Sequence, residues 1–161
     1  FRTVPSEEEQ RATSPHAGQR YRDSPYVRHL RAVRAVLADV DAEPDLAVAA
    51  WLHDTVEDTS TSREDIASRF GEPAAALVWA VTGVGRDRAE RNHAAYAKIR
   101  ALPRAATLKL ADRIANVEAS KNVPTKLEMY RAESDGFSSA LAGLGDARLW
   151  SRLRTAIGAS V

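Results

Sequence analysis

Four polar side chains at the end of an apolar run constrain this chain more than any other feature of its sequence. If residues 45–58 form a helix, His53 and Glu57 lie one turn apart on the face that points inward. Asp54 and Asp58 lie one turn apart on the adjoining line. Burying such groups is costly unless a metal ion or ligand compensates them, and carboxylates near a helix C-terminus favour a cation. The stretch is therefore predicted to be a metal site with its acid/base group attached; the alternative is a solvated helix end.

The length and charge of the chain limit its fold and its partners. At 161 residues it is predicted to be a single domain, 1–161, with a sizeable core. Its 23 Lys and Arg nearly balance its 22 Asp and Glu, so neither nucleic acid nor a membrane is expected as a partner. Cysteine is absent, which excludes disulfides and thiol catalysis and fits a reducing interior. A cytoplasmic protein is expected, and the sequence leaves a homo-oligomer open.

Helical periodicity recurs along the chain, without strand-like alternation of useful length or an internal repeat. The fold is therefore predicted to be all-α. The predicted helices cover 26–40, 45–58, 61–71, a segment from 73, about 87–101, a segment from 103, 125–134 and about 146–157.

Several of these helices carry their own start and packing signals. Thr61 and Glu64 have the spacing of a capping box that opens the helix closed by Gly71. Trp79 is predicted to lie in the core. Pro103 fits the first turn of a helix, where its missing N–H is tolerated. After Ser134 the chain reads as glycine-interrupted segments before the closing helix.

Further polar residues are candidates for the same site. His29 stands just off the apolar stripe of its helix, and it is a surface histidine unless other ligands accompany it. Asp112 lies on an apolar helix face one turn after Leu108, where a carboxylate is rare unless it is paired. It either pairs with Lys109 or Arg113 or closes a metal site with the histidines. In the charged helix that follows residue 87, the plausible phosphate or base contacts are Arg91, Asn92 and Tyr96.

The order His29, His53-Asp54 and Asp112 resembles the HD superfamily of metal-dependent phosphohydrolases. The segments 52–59 (LHDTVEDT), 108–116 (LKLADRIAN) and 25–29 (PYVRH) are similar, more narrowly, to the hydrolase domain of the RelA/SpoT stringent-response enzymes. The resemblance runs over about 16–116 and implies a single-domain HD-type helical bundle. Helices within 123–159 are expected to pack on that part, and the size is that of the stand-alone small alarmone hydrolases.

The resemblance also implies a metal ion and roles for individual residues. Mn²⁺ is expected, or another divalent transition metal, because mixed nitrogen and oxygen ligands suit such ions. Glu57 and Asp58 would orient the attacking water and accept its proton. The implied metal ligands are His29, His53, Asp54 and Asp112. The implied substrate contacts are Arg20, Arg22, Lys109, Asn116, Arg91 and Tyr130.

The implied reaction is hydrolysis of guanosine 3′,5′-bis(diphosphate) or its pentaphosphate form at the 3′-diphosphate, giving GDP or GTP and pyrophosphate. Tyr21-Arg22 stands where the family usually has Arg-Lys, Leu30 where it often has Pro, and Ala115 where it often has His or Tyr. These departures touch the substrate side and spare the implied ligands. Two alternatives therefore stay open: the same chemistry on another nucleotide, such as NADPH or a nucleoside phosphate, and a non-catalytic nucleotide-binding sensor.

Overall fold

The computed structural model describes residues 25–53 and 60–158 of the chain. These residues form eight helices and no strand, which confirms the prediction of an all-α fold. None of the described helices is long and apolar enough to cross a membrane. The helices are α1 (Pro25–Ala38), α2 (Pro44–Leu52), α3 (Arg63–Phe70), α4 (Glu72–Val81), α5 (Arg88–Ala101), α6 (Ala105–Ala119), α7 (Pro124–Leu141) and α8 (Ala147–Ile157).

Helix α6 lies in the middle of the fold and packs against α1, α2, α4, α5, α7 and α8. It is apolar on most of its circumference, and a helix of that kind is stable only when it is covered on several sides. Leu108, Leu110, Ile114 and Val117 are all fully buried. A polar side chain on this helix is therefore either satisfied by a neighbour or directed into a cavity, and Asp112 stands on it.

Helices α1 and α2 pack on each other and on α6. The apolar stripe of α1 is buried through Leu30, Val33 and Leu37, and this leaves His29 at the edge of the covered face. Helix α2 begins with Pro44 in its first turn and ends at Leu52, with His53 as its C-cap. The predicted extent of this helix, 45–58, is therefore wrong, and residues 54–59 lie outside the described residues.

Helix α3 begins with a capping box one residue later than predicted. The Asp65 N–H donates to Ser62 Oγ at 3.1 Å, and the Ser62 N–H donates to Asp65 Oδ2 at 3.0 Å. The predicted pair, Thr61 and Glu64, is wrong, because an Asp at the third helical position can reach back as a Glu does. Gly71 ends the helix as predicted, with a φ of 93° that only glycine adopts readily.

Three other predictions are wrong. Trp79, which was predicted to lie in the core, is 36% exposed, and the Lys98 ammonium group lies 3.9 Å from the centroid of its ring. The indole therefore lies at the surface, where it makes a cation–π contact. Pro103 lies in the turn before α6, which begins only at Ala105. Helix α7 continues through Gly136 to Leu141, because the buried Phe137 and Leu141 extend its apolar face beyond the glycine.

Candidate metal centre

The structure brings His29, His53 and Asp112 together, although they are far apart in the sequence. Asp112 Oδ1 lies 2.8 Å from His29 Nε2 and 3.1 Å from His53 Nε2. One ligand atom from each of the three lies within 4.8 Å of the other two. His29 comes from α1, His53 from the end of α2 and Asp112 from the central α6, so the cluster forms only when these helices pack.

The hydrogen bond made by His53 determines which of its ring nitrogens can serve as a metal ligand. Nδ1 lies 2.8 Å from the carbonyl oxygen of Ala50, which can only accept, so Nδ1 carries a proton. In the neutral ring, Nε2 then directs a lone pair at Asp112 Oδ1, which is itself an acceptor. A proton or a cation must lie between these atoms. Two imidazole nitrogens, of which the His53 ring is oriented by a backbone carbonyl, together with a carboxylate are a donor set that fits a divalent transition metal.

Asp112 is ionised in this environment. Burial raises the pKa of its carboxyl group, but the hydrogen bonds from His29 and His53 and the charges of His53 and Lys109 together hold that pKa well below its usual range. Lys109 Nζ lies 3.8 Å from Oδ2, and the Asn116 amide donates to Oδ1 at 3.4 Å. Of the two cations that the sequence offered as structural partners, Lys109 does approach Asp112. Arg113 instead pairs with Glu133.

A cavity of about 270 Å³ opens beside the cluster. It is lined by α4, α5, α6 and α7 as well as by the two histidines, and its walls are largely polar. Four of the predicted substrate contacts line it: Arg91, Lys109, Asn116 and Tyr130. The predicted contacts Arg20 and Arg22, the predicted ligand Asp54 and the predicted catalytic pair Glu57 and Asp58 lie outside the described residues.

Arg88, Arg113 and Glu133 form an ion-pair cluster beside this cavity that was not predicted from the sequence. Arg113 is 5% exposed, and its Nη1 donates to Glu133 Oε2 at 2.6 Å. Arg88 also lines the cavity, and its Nε donates to Glu133 Oε1 at 2.5 Å. Both guanidinium groups lie over the ring of Tyr130, at 5.0 Å and 5.6 Å from its centroid. The available signal was that Glu133 follows Tyr130 by three residues and so shares its side of α7.

Comparison with known proteins shows where similar sequences occur. Residues 10–142 match the family model described as the HD domain. A guanosine-3′,5′-bis(diphosphate) 3′-pyrophosphohydrolase of Aquifex aeolicus is 39% identical over 99 residues, which is 58% of this chain and 14% of that protein. The 3′-pyrophosphohydrolase MESH1 of Danio rerio is 35% identical over 117 residues, or 66% of this chain and 63% of that protein. The chain thus spans less than two thirds of the length of either relative.

A solved structure has the same architecture over nearly its whole length. It is that of a metazoan orthologue of SpoT that is described as hydrolysing ppGpp. The two chains are 28% identical, with a TM-score of 0.78 and coverage of 98% of each. The helical arrangement that brings the histidines to Asp112 is therefore shared with that protein at the level of the fold.

Proposed function

This chain belongs to the HD domain family, and we propose that it hydrolyses guanosine 3′,5′-bis(diphosphate), or the pentaphosphate form, at the 3′-diphosphate. The products would be GDP or GTP and pyrophosphate. The observation that carries the proposal is the convergence of His29 Nε2 and His53 Nε2 on Asp112 Oδ1 beside a polar cavity. The relatives support the choice of substrate, because several of them are named for this hydrolysis.

The proposed cofactor is Mn²⁺, held by His29, His53 and Asp112 with Asp54 as the fourth ligand. Asp54 is included because the His53-Asp54 pair resembles the His-Asp motif of the HD superfamily. A divalent ion in such a site withdraws charge from the phosphoryl oxygens and lowers the pKa of water. Mixed nitrogen and oxygen ligands also suit iron, cobalt and zinc, so the metal is to be identified by reconstitution.

The side chains of the cavity divide the remaining work. Lys109, which is mostly buried beside Asp112, would neutralise charge on the diphosphate that reacts. Asn116 would hydrogen-bond the nucleotide, and Arg91 and Tyr130 would line its site. Glu57 and Asp58 would orient the water and accept its proton while the bond between phosphorus and the ribose 3′ oxygen breaks. The 3′ oxygen takes up a proton, in place of the one that the water gives up, and leaves as the ribose 3′-hydroxyl group. The diphosphate, which has gained the oxygen of the water, is released as pyrophosphate.

The proposal is tested with purified protein reconstituted with Mn²⁺ and a panel of nucleotides. The panel contains both guanosine bis(diphosphates), NADPH and nucleoside monophosphates, and both pyrophosphate and orthophosphate are measured. Release of pyrophosphate from the guanosine compounds is the expected result. Release of orthophosphate from another member would replace the proposed substrate. Binding without turnover of any member would identify a sensor instead of an enzyme.

The proposed proton acceptors have their own test. The double substitution Glu57→Ala with Asp58→Ala should abolish turnover while the protein keeps its metal, because neither side chain is a proposed ligand. Metal content is measured by atomic absorption after dialysis, alongside pyrophosphate release. Undiminished activity in the double variant would remove this assignment and leave the metal site standing.

A further inference from the structure

Glu133 joins three helices through one carboxylate, which binds two arginines of the cavity lining. Its Oε2 accepts from Arg113 Nη1 at 2.6 Å, and its Oε1 accepts from Arg88 Nε at 2.5 Å. Arg88 Nη2 adds a second bond to Oε2 at 3.2 Å, and the Asn92 amide lies 3.5 Å from Oε1. Burial raises the pKa of Glu133, but the hydrogen bonds from Arg88 and Arg113 outweigh it and lower the pKa, so the carboxylate is charged.

The two arginines bound to this carboxylate are not equivalent. Arg113 is 5% exposed, its Nη2 lies 3.4 Å from Tyr96 Oη, and its guanidinium group lies 4.7 Å from the centroid of Phe137. It is therefore part of the packing. The Arg88 side chain is 46% exposed and lines the cavity. Within the described part of the chain, Glu133 binds Arg88 through Nε and Nη2 and no partner occupies Nη1.

The charged groups around Glu133 have a net positive charge, which favours the binding of an anion. One carboxylate serves two guanidinium groups, so the cluster keeps one positive charge. Both arginines line the cavity, and Arg88 is the exposed member of the pair. A planar guanidinium group with a free N–H edge matches phosphate oxygens. Lys109, in contrast, stands 3.8 Å from Asp112 and belongs to the metal cluster. The cavity thus has Lys109 beside the metal cluster and two arginines on α5, Arg88 and Arg91, of which Arg88 is the one that Glu133 binds.

We propose that Glu133 is a positioning residue that holds Arg88 in the cavity, where Arg88 binds the diphosphate that is not cleaved. The inference rests on the proposed function, because a substrate with two diphosphates places one at the metal cluster and leaves the other for a separate cation. Tyr130 supports the arrangement, since its ring lies under the Arg88 guanidinium at 5.6 Å. Specificity for the 5′-diphosphate is then a property of α5 and α7.

The first test compares Arg88→Gln and Arg88→Lys with the wild-type holoenzyme on guanosine 3′,5′-bis(diphosphate). A contact to a group remote from the reacting bond is made equally in the ground state and the transition state, so its loss raises KM and spares kcat. Arg88→Gln should raise KM about tenfold, as expected for one charged hydrogen-bonding partner. Arg88→Lys, which keeps the charge and loses the fork, should lie between. An unchanged KM for Arg88→Gln would overturn the proposal.

The second test asks whether Glu133 acts through Arg88. Glu133→Gln should raise KM in the same direction, and the double variant should be no worse than Arg88→Gln alone, because the effects are not independent. The matched control is Glu118→Gln. Glu118 accepts from Arg152 Nε at 2.8 Å and Nη2 at 3.1 Å in the same two-bond geometry, away from the cavity lining. An equal rise in KM for the control, or additive effects in the double variant, would reject the positioning role.

The third test identifies which diphosphate Arg88 binds. On guanosine 3′-diphosphate, which has no phosphate at the 5′ position, Arg88→Gln and wild type should have the same KM. An equal loss on both compounds would show that Arg88 does not contact the 5′ group and would overturn the proposal. Thermal melting accompanies each variant. If Glu133→Gln fails to fold, the Arg88 variants on the two substrates decide the proposal by themselves.

The failure of the proposed function has a different signature. A wild-type holoenzyme that cleaves neither guanosine compound rejects the proposed function, and Arg88 is then examined by calorimetric titration with guanosine 3′,5′-bis(diphosphate). Weaker binding by Arg88→Gln, by about tenfold, would still support the Arg88 contact. Equal dissociation constants for the two proteins would reject it as well.

Discussion

Asp112 presents one carboxylate oxygen to two imidazole nitrogens, and this geometry makes it the side chain on which ion binding depends most. We predict that Asp112→Asn weakens Mn²⁺ binding at least about 100-fold, because a neutral amide replaces the charged ligand and substitutions even in the surrounding shell cost 10- to 100-fold. Bound metal is measured by atomic absorption after dialysis against graded Mn²⁺.

Asp146→Asn serves as the control, since Asp146 caps α8 on the surface and asparagine is an equally good cap. That variant should bind the ion as the wild type does. Equal Mn²⁺ content in Asp112→Asn and the wild type at low Mn²⁺ would contradict the assignment of this residue.

Glu133 gives a second prediction at the level of one side chain, this time for stability against pH. Its pKa is lower in the folded protein than usual, so it stabilises the fold above its ordinary pKa of about 4.3 and loses that contribution as pH falls through the lower value. Glu133→Gln should therefore cost about 1–2 kcal/mol of unfolding free energy at neutral pH. The difference should shrink progressively under acid conditions. Urea unfolding of both proteins at neutral pH and at acid pH measures this difference in unfolding free energy. A difference that does not change with pH would contradict the role of the charge.

Some residues of the candidate site could be predicted from the sequence, and others could not. The resemblance to the HD superfamily implied that His29, His53 and Asp112 bind one ion, and the structure brings the three side chains together. The positions of His53 and Asp112 on apolar helix faces indicated a site as well, whereas His29 alone would have been taken for a surface histidine. The pairing of Arg113 with Glu133 was not expected from the sequence, because it depends on how α7 lies against α6. Arg88 could only be placed on a solvated helix face, since its partner lies 45 residues away.

The start of α8 depends on two glycines with the same backbone conformation and different surroundings. Gly143 has a φ of 76° and Gly145 a φ of 77°. A Cβ at Gly143 would meet nothing within 4 Å, whereas one at Gly145 would lie 2.8 Å from Leu110 Cδ1 and 3.2 Å from backbone atoms of Ala106 and Thr107. Gly145 therefore lets the chain approach α6 closely before α8 begins.

Alanine substitutions separate the two effects. Gly143→Ala should cost about 1–2 kcal/mol for the left-handed conformation alone, and Gly145→Ala should cost more because the backbone of α6 cannot yield. Gly136→Ala, in the interior of α7 with open space around its Cβ position, should instead stabilise the fold by about 0.8–1.0 kcal/mol. Thermal and urea unfolding of the three variants rank them. Equal losses at Gly143 and Gly145 would contradict the close approach.

The elements were predictable to the extent that their signals are local. The charged helix α5 and the amphipathic helix α8 each begin within one residue of the predicted start and end at the predicted residue. The prediction was wrong where two neighbouring pairs of residues could both form a capping box. Ser62 with Asp65 caps α3 instead of Thr61 with Glu64, one residue earlier. Trp79 is a large aromatic residue of the kind that often lies in a core, but here it lies at the surface beneath the Lys98 ammonium group. Gly136 breaks no helix, because burial of Phe137 outweighs the intrinsic cost of a glycine.

At the scale of the whole molecule, the architecture follows from one helix that is covered on nearly every side. An all-α fold was predictable because apolar residues recur with helical spacing along the chain and α6 carries an almost continuous apolar surface. The order in which the other helices surround α6 was not predictable from the sequence, because it is set by the contacts between those helices. That order is what carries α1 and the end of α2 to Asp112, so the candidate metal centre is a product of the complete packing.

This dependence predicts that ion binding and folding are linked. The three candidate ligands come from residues 29, 53 and 112, so an unfolded chain has no such site and Mn²⁺ should bind the folded state alone. At a free concentration 100 times the dissociation constant, Mn²⁺ should add about 2.7 kcal/mol to the free energy of unfolding. For a domain of this size the melting temperature should rise by roughly 5–10 °C. Thermal melts over graded Mn²⁺ measure the rise, a chelator should reverse it, and His29→Ala should remove most of it. A rise of equal size in His29→Ala would show that the stabilising ion binds elsewhere on the molecule.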